Sequence, residues 1–507
     1  MTSSGLTTRE GNKSDLAVRH AVALRLLAAL FLIFTIAFSS PSAVSADSGD
    51  PITQADQQEQ PTADAPAGAP PQRISPNTAP SRFDVEAAVR EYLDRLSPQE
   101  KARSDAYFEG GYWIQFWNVL IALLVAWLLL RFGWSAAIRT RVEDWMKNRP
   151  NLTAAGYAVG YNLLVFVLTL PWTIYTDFWR EHNYGLATQS FGPWFAEELV
   201  GLGVSTVGLA IFLVVIYALI RHARASWHLW GAGASIVLLA LALFVSPVAI
   251  EPLFNTYKPM PDGPLKQDIL SMARANGIPA DQVYVVDASR QTTRISANVS
   301  GLFGTTRIAL NDNLLDRGTP AEIRAVMGHE MGHYVLNHAW KFLTAFVIII
   351  AAGFTFVKWG FARLHARHGA AWGVRDIADP AGFPLFAALL TVFFFIITPL
   401  TNTISRSAEA EADIFGLNAA MEPDGFASIA MKLSDYRKID PGPIEEFVFY
   451  DHPSGRARVT MAMRWKAEHL KLLTALAAAR DAAEKTEAPP LPDKGERRSD
   501  GSVSSDE

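Results

Sequence analysis

The chain of 507 residues is strongly apolar, because half of its residues are hydrophobic and only 19% are charged. This composition is typical of membrane proteins, and a net charge of −5 argues against nucleic acid as a partner. The chain has no cysteine, which excludes disulfides, iron–sulfur clusters, thiolate metal ligands and prenylation of the chain itself. Any metal must therefore be bound by nitrogen and oxygen atoms.

The N-terminal residues have the pattern of a secretory signal. Scattered cations precede an apolar run at 26–38, and small residues follow it as far as Ala46. We predict a signal peptide at residues 1–46, with an uncleaved signal anchor as the alternative. Residues 47–81 are rich in Pro, Ala, Gln, Asp and Thr and lack a periodic apolar pattern, which predicts a disordered linker.

Long apolar segments then alternate with short polar ones. Each apolar segment is about long enough to cross roughly 30 Å of hydrocarbon, and so many of them argue against the alternative, core helices of a large soluble protein. We predict four spans in a membrane region at 82–250 and two more at 342–402. The six predicted spans are 113–130, 158–174, 200–220, 229–250, 342–361 and 383–399.

Cations are distributed unevenly among the loops. The loops after the first, third and fifth spans contain several lysines and arginines, whereas Arg180 is the only such residue in the loop 175–198. Because positively charged loops stay in the cytoplasm, we predict that residues 251–341 and everything after the sixth span lie outside it. We therefore expect a multi-pass protein of a bacterial inner membrane, with its functional site on the periplasmic side.

The region 251–341 is predicted to be a small α/β unit of zincin type. An amphipathic stretch at 264–276 predicts a helix, and the short apolar runs at 282–286 and 307–310 predict strands. A strand beside a catalytic helix offers its edge to an extended peptide through main-chain hydrogen bonds. The alternative is that these strands only pack on the helix.

A histidine–glutamate motif follows, His-Glu-Met-Gly-His, with Thr319 as a predicted N-cap and Pro320 as the first helical residue. On a helix, His329 and His333 lie on one face, so both rings point at one position that a zinc ion can occupy. Glu330 lies beside that position, where it can take a proton from a water molecule. The alternative is a pair of packed or solvated histidines.

The third metal ligand is expected after the last span. An Ala- and Glu-rich helix is predicted at 405–413, and Glu409 and Asp413 lie one turn apart on it. We predict that Glu409 binds the metal and that Asp413 orients a histidine ligand. Glu411 points elsewhere and ranks second, and the alternative for the whole segment is a solvated acidic face.

The last candidates lie in a Tyr-Asp-His-Pro-Ser turn and just after it. His452 and Arg458 are placed to stabilise the oxyanion formed when water attacks a carbonyl. We predict that residues 403–480 complete the catalytic domain and that the charged, Pro-containing tail 481–507 is disordered.

These motifs together resemble the integral-membrane zinc metalloproteases that include the type I CaaX prenyl endopeptidases. The resemblance covers roughly residues 110 to 470, and its motifs occur in the same order as in that family. The segments that carry it are LPW at 170–172, EHNYG at 181–185, EPLF at 251–254, KP at 258–259, HEMGH at 329–333, SRSAEAEAD at 405–413, and HPS at 452–454 with Arg458 downstream.

The resemblance implies an α-helical polytopic membrane protein whose spans surround a chamber, with a zincin-like α/β metalloprotease domain between and after the last spans. It assigns zinc ligands, a general base and residues that stabilise the transition state at the positions derived above. It also implies that Asn298 contacts the substrate backbone, although the surrounding stretch 295–301 differs from the family pattern. The eukaryotic members face the cytosol, whereas the charge pattern here predicts a site on the outer side.

We therefore predict a metalloendopeptidase with one zinc ion per chain that acts on peptide or protein substrates, including lipid-modified ones, at the lipid bilayer. The alternative is a membrane chaperone or binding protein for hydrophobic or lipidated chains, which would have no need of Glu330 as a base. A processing role and a quality-control role both remain open, as does the oligomeric state.

Overall fold

A computed structural model describes residues 83–301 and 306–487. The predicted signal peptide, the predicted linker and residues 488–507 of the predicted tail lie outside the described residues. Residues 481–487, which the sequence assigned to the disordered tail, are instead the end of a helix at Leu470–Glu487. Most of the described chain is helical, and the predicted fold class, an α-helical polytopic membrane protein, is confirmed.

Long helices form the first half of the described chain: α1 (Val85–Leu93), α2 (Pro98–Arg131), α3 (Trp134–Trp145), α4 (Pro150–Thr173), α5 (Arg180–Asn183), α6 (Phe191–His222) and α7 (Trp227–Val245). A π-helical segment at Ile174–Trp179 joins α4 to α5. Another at Ser246–Ile250 continues α7 into a 3-10 turn at Glu251–Leu253. The helical axis therefore continues past the end of α4 and of α7.

The second half adds a small sheet and more helices: β1 (Tyr257–Pro259), α8 (Pro264–Ala275), β2 (Val283–Val286), β3 (Ala297–Ser300), β4 (Arg307–Asn311), α9 (Asp312–Arg317), α10 (Pro320–Val335), α11 (His338–Trp372), α12 (Phe383–Ala420), α13 (Pro423–Lys432), α14 (Pro443–Phe449), α15 (Gly455–Glu468) and α16 (Leu470–Glu487). Short 3-10 turns lie at Ala288–Arg290, Pro380–Gly382 and Leu433–Asp435.

Six helical segments of the described chain are long and apolar enough to cross a membrane. In each of them, protein buries at most 28% of the most apolar stretch of 18 residues. The rest of the stretch is apolar surface of the kind that lipid covers. Each contains one of the six predicted spans. The segments are Pro98–Arg131, Pro150–Asn183, Phe191–His222, Trp227–Leu253, His338–Trp372 and Pro380–Ala420.

The last span and the acidic segment that follows it form one helix. The sequence suggested a span ending at Pro399 and a separate helix at 405–413, but α12 continues through both. Proline is a weak indicator of a helix end here, because apolar membrane helices tolerate it. As a result, a continuous rod about 40 Å long, at about 1.5 Å per residue, connects Phe383 to Glu409.

The sheet has the strand order β1-β2-β4-β3. Strands β2 and β4 are parallel, and β1 and β3 are antiparallel to their neighbours. The predicted runs at 282–286 and 307–310 correspond to β2 and β4, and the predicted helix at 264–276 corresponds to α8. Strand β3 lies at the sheet edge and packs beside α10, which leaves its outer main-chain groups unpaired by the sheet.

The first helix packs far from its neighbours in sequence. The apolar side chains of Val89 and Tyr92 share a buried cluster with Phe426, Val459 and Met463. The Tyr92 hydroxyl also donates a hydrogen bond to an Asp424 carboxylate oxygen at 2.9 Å. Helix α1 therefore belongs to the layer formed by α13 and α15, whereas the sequence had grouped it with the membrane region.

Loops rich in cations meet at one end of the bundle. Arg139 on α3 lies 3.4 Å from Asp379, and Arg375 donates to Glu143 at 2.9 Å. Arg224, in the turn after α6, lies 4.0 Å from Asp376. The loops after the first, third and fifth spans are thus held together, about the length of α12 away from Glu409.

Candidate metal centre

Helix α10 begins with a capping box that holds its first turn. The Glu322 carboxylate accepts a hydrogen bond from the Thr319 backbone N–H at 2.7 Å, and the Thr319 hydroxyl accepts one from Glu322 N–H at 3.4 Å. Glu322 also accepts from Lys432 Nζ at 2.7 Å and from Ser428 at 2.6 Å, which attaches α10 to α13. This fixed start sets the rotational position of the two motif histidines.

Helices α10 and α12 cross at very small separation because glycines lie at the contact. A Cβ atom at Gly416 would be only 2.7 Å from the His329 backbone nitrogen. A Cβ at Gly332 would lie 3.1 Å from the Cα of Ala412. Only hydrogen fits at Gly416, so the close crossing depends on it, and the crossing brings Glu409 to the histidine pair.

Three side chains converge at this crossing. His329 Nε2 lies 3.3 Å from Glu409 Oε2, His333 Nε2 lies 3.4 Å from Glu409 Oε1, and the two Nε2 atoms are 3.0 Å apart. Glu409 Oε2 is buried and accepts no hydrogen bond within the part of the chain that the structure describes. Two imidazole nitrogens and a carboxylate that converge in this way match the ligand set of zinc in open catalytic sites.

A buried ion pair holds the first histidine. His329 Nδ1 is 2.8 Å from an oxygen of Asp413, a fully buried carboxylate that also accepts from Arg458 at 3.0 and 2.5 Å. Burial alone would lower the pKa of His329, but the neighbouring carboxylates of Asp413 and Glu409 raise it to about 9. The Nδ1 contact orients the ring so that Nε2 points at Glu409.

A second series of contacts positions the other motif histidine, His333. His333 Nδ1 is 2.9 Å from His338 Nδ1, and His338 Nε2 is 3.2 Å from Glu411, which also pairs with Lys341. Burial, together with the neighbouring His329, lowers the pKa of His333 to about 4, so its ring is neutral and able to bind a metal. Sequence reasoning missed His338, although it is a histidine five residues beyond the motif.

Glu330 faces a cavity of about 230 Å³ beside the cluster, and His452 and Arg458 also line this cavity. Burial raises the pKa of the Glu330 carboxyl to about 7, with Glu409 adding to the shift and His329 opposing it. A carboxylate with a pKa near neutral can both accept and return a proton.

His452 lies beside the cluster, whereas the guanidinium of Arg458 is already paired with a carboxylate. His452 Nε2 lies 3.4 Å from Glu409 Oε2, and its Nδ1 lies 2.7 Å from the Asp451 carboxylate. Ser454 caps α15, the helix that carries Arg458. Because Asp413 holds the Arg458 guanidinium at two points, this arginine acts on the site through Asp413 and His329.

Asn298 lies on the edge strand β3, next to the cavity. Ile295, Ser296 and Ala297 line the cavity, and the register pairs Asn298 with Ala309. The side-chain amide oxygen of Asn298, Oδ1, is buried and has no hydrogen-bond partner among the described residues. Two further lining residues, Tyr436 and Arg437, carried no motif that would have identified them.

Comparisons with known proteins agree with this geometry. The model of peptidase family M48 matches residues 259–466, and the model described as CAAX prenyl protease N-terminal, five membrane helices, matches 85–256, where the structure has four candidate spans. The chain is 28% identical to the uncharacterized metalloprotease YhfN of Bacillus subtilis over 371 residues, 72% of this chain and 86% of the relative. It is 26% identical to CAAX prenyl protease 1 of Saccharomyces cerevisiae over 369 residues, 68% of this chain and 77% of the relative.

The fold also matches a solved structure, that of S. mikatae Ste24p. The TM-score is 0.62 at 20% identity, and the match covers 75% of this chain and 94% of the other.

Proposed function

Since the chain belongs to the M48 family of membrane metalloproteases, together with the CAAX prenyl proteases, we propose that it uses zinc to cleave lipid-modified or membrane-associated proteins. The chain is a multi-pass membrane metalloprotease. The observation that carries the proposal is the cluster of His329, His333 and Glu409 with Glu330 beside it.

In this proposal His329, His333 and Glu409 hold the metal, which fits their converging nitrogen and oxygen atoms and the unpartnered Glu409 oxygen. A zinc ion bound there supplies Lewis acidity and lowers the pKa of water to about 7. Glu330 takes the proton of the attacking water and passes it to the nitrogen of the leaving amine. Its raised pKa suits both transfers.

His452 is the best-placed donor for the oxyanion. Its Nε2 faces the cluster, and its Nδ1 lies 2.7 Å from the Asp451 carboxylate, so the ring is held with Nε2 directed at the position where the charge of the oxyanion would develop. Asp413 and Arg458 act as positioning residues, because their contacts end at the His329 ring. Among the described residues the side-chain Oδ1 of Asn298 has no hydrogen-bond partner. It lies beside an open strand edge, which suits contact with a substrate main chain.

An apolar cavity among the spans supports a substrate that carries a lipid. Its volume is about 530 Å³, and side chains from α2, α6 and α12 line it, among them Val119, Phe212, Phe386 and Leu390. A hydrocarbon chain of a modified substrate is the kind of ligand that such walls bind.

Metal analysis and peptide cleavage by the purified chain in detergent test this function. We expect one zinc per chain and faster cleavage of a quenched farnesylated peptide than of the same peptide without the lipid. Equal rates on both peptides would remove the lipid from the proposal. Absence of bound zinc would favour the binding-protein alternative.

We also propose that the metal centre lies on the periplasmic side of a bacterial inner membrane. The cation-rich loops cluster at the opposite end of the bundle, and such loops remain in the cytoplasm.

Because the chain has no cysteine, single introduced cysteines report this topology directly. We expect a membrane-impermeant maleimide to label Asp281→Cys in intact spheroplasts and to label Ala225→Cys only after lysis, since both positions are exposed at opposite ends. The reverse labelling pattern would place the metal centre in the cytoplasm.

A further inference from the structure

Helix α14 directs its apolar side chains outward and its acidic side chains inward. Ile444 is 79% exposed and Phe447 is 52% exposed. The two residues between them, Glu445 and Glu446, are partly buried. A helix on the surface of a water-soluble domain has the opposite arrangement, with its charges in water and its apolar side chains packed. The outer face of α14 is therefore suited to apolar surroundings.

Both acids of α14 are bound by the protein. Glu445 accepts a hydrogen bond from the Tyr112 hydroxyl at 2.8 Å and another from Lys438 Nζ at 2.9 Å. Glu446 accepts one from the Ser454 backbone N–H at 2.9 Å, in the turn that follows α14. These contacts set the rotation of α14 about its axis and turn its apolar side chains away from the protein.

Helix α14 also lies against two membrane-spanning segments, close to the ends of their apolar parts. On α2, the Tyr112 ring stacks on that of Phe449, with 3.9 Å between the ring centroids. On α12, Asn402 Nδ2 donates a hydrogen bond to the Val448 carbonyl at 2.8 Å. Tyr112 directly precedes the predicted span of α2, and Asn402 lies three residues beyond that of α12. At about 1.5 Å per residue, both contacts lie within about 5 Å of the span ends.

Exposed apolar side chains lie on the spans next to these contacts. Trp113 and Trp117 of α2 are exposed, as are Ile396 and Leu400 of α12. Trp340 is exposed in the first turn of α11. Tryptophan is enriched where a membrane meets water, because its ring is apolar and its N–H is polar. The outer face of α14 is thus level with the expected boundary of the bilayer.

We propose that α14 enters the boundary region of the bilayer on the side of the metal centre, with Ile444 and Phe447 in contact with the lipid. The occupant of this surface is the phospholipid bilayer itself. The inference goes beyond the proposed function, since it requires neither zinc nor a substrate. Because α14 leads directly into the Tyr-Asp-His-Pro-Ser turn, its contact with the bilayer sets the distance of His452 from the membrane surface.

Fluorescence quenching in phospholipid nanodiscs tests the proposal without relying on activity. The chain has no cysteine, so Ile444→Cys or Phe447→Cys provides a single site for a polarity-sensitive nitrobenzoxadiazole label. The full-length labelled protein is placed in nanodiscs without nitroxide, with a nitroxide near the lipid headgroup, or with one near the end of the acyl chain. Iodide is the aqueous quencher, because it reaches both surfaces of a nanodisc.

We expect both α14 labels to lose most of their fluorescence to the nitroxide near the headgroup, less to the deep nitroxide and little to iodide. The reason is that interfacial helices insert their apolar face only about 5–10 Å into the bilayer. Two reference variants calibrate the measurement. Val237→Cys, exposed near the middle of α7, should be quenched most by the deep nitroxide, and Asp281→Cys, exposed between α8 and β2, should be quenched by iodide.

Three results would overturn the proposal. Quenching of both α14 labels by iodide to the level of Asp281→Cys, with no effect of either nitroxide, would place this face in water. Protection from iodide and from both nitroxides would mean that protein covers it, either another part of this chain or a second copy. A pattern equal to that of Val237→Cys would place α14 within the hydrocarbon, away from the boundary.

Discussion

Replacement of Glu330 by Gln is expected to lower kcat/KM for a cleaved peptide by about 10²- to 10⁴-fold and to leave the zinc content unchanged. Glutamine has the size of the native side chain but cannot accept a proton, so only the transfer step is lost. The three proposed metal ligands remain in place, because none of them is hydrogen-bonded to Glu330 in the described structure. Steady-state kinetics combined with elemental analysis of the same preparation measures both quantities.

Glu468→Gln is a suitable control, because this glutamate is exposed at the end of α15 and lies away from the cavity. It should keep the wild-type rate. If Glu330→Gln cleaved peptide at the wild-type rate, Glu330 would not be the base. If it lost zinc together with activity, its carboxylate would be a ligand.

Asp413→Asn is expected to lower the free energy of unfolding by about 3–5 kcal/mol and the zinc affinity by about 10- to 100-fold. The substitution leaves the buried Arg458 guanidinium without its counter-charge and removes a charged acceptor from the His329 ring. Because Asp413 is fully buried and Arg458 is nearly so, solvent compensates little for these losses. Thermal unfolding in detergent and zinc competition with a chelator measure the two effects.

A second substitution separates charge from packing. The double variant Asp413→Asn, Arg458→Met removes both charges and should regain part of the stability, because a buried cation is no longer unpaired. Glu91→Gln removes an exposed partner of Arg95, which is itself exposed, and should leave the unfolding midpoint where it is. An unfolding midpoint of Asp413→Asn equal to that of the wild type would show that the pair does not hold this part of the fold.

The candidate metal-binding motif could be predicted from the sequence because its geometry is local. A helix places His329 and His333 one turn apart whatever surrounds it, and the same spacing relates Glu409 to Asp413. Apolar segments of sufficient length likewise indicate spans without reference to tertiary packing. The structure has a long apolar helix around each of the six predicted spans.

Contacts between segments that are distant in sequence could not be predicted in this way. Nothing local indicates that α12 continues past Pro399 or that Val89 and Val459 share one buried cluster. Arg458 was predicted to face the oxyanion, but its charge is used by Asp413, and only the packing of α15 against α12 shows this.

The sequence by itself therefore determined the class of protein, the number of apolar spans and the types of side chain available for a metal. Each of these follows from composition or from the fixed period of a helix. The tertiary structure alone decided how Glu409 reaches the histidines, because that contact depends on the close crossing of α10 and α12 at Gly416. It also decided which charges are already satisfied, since a partner can come from any part of the chain.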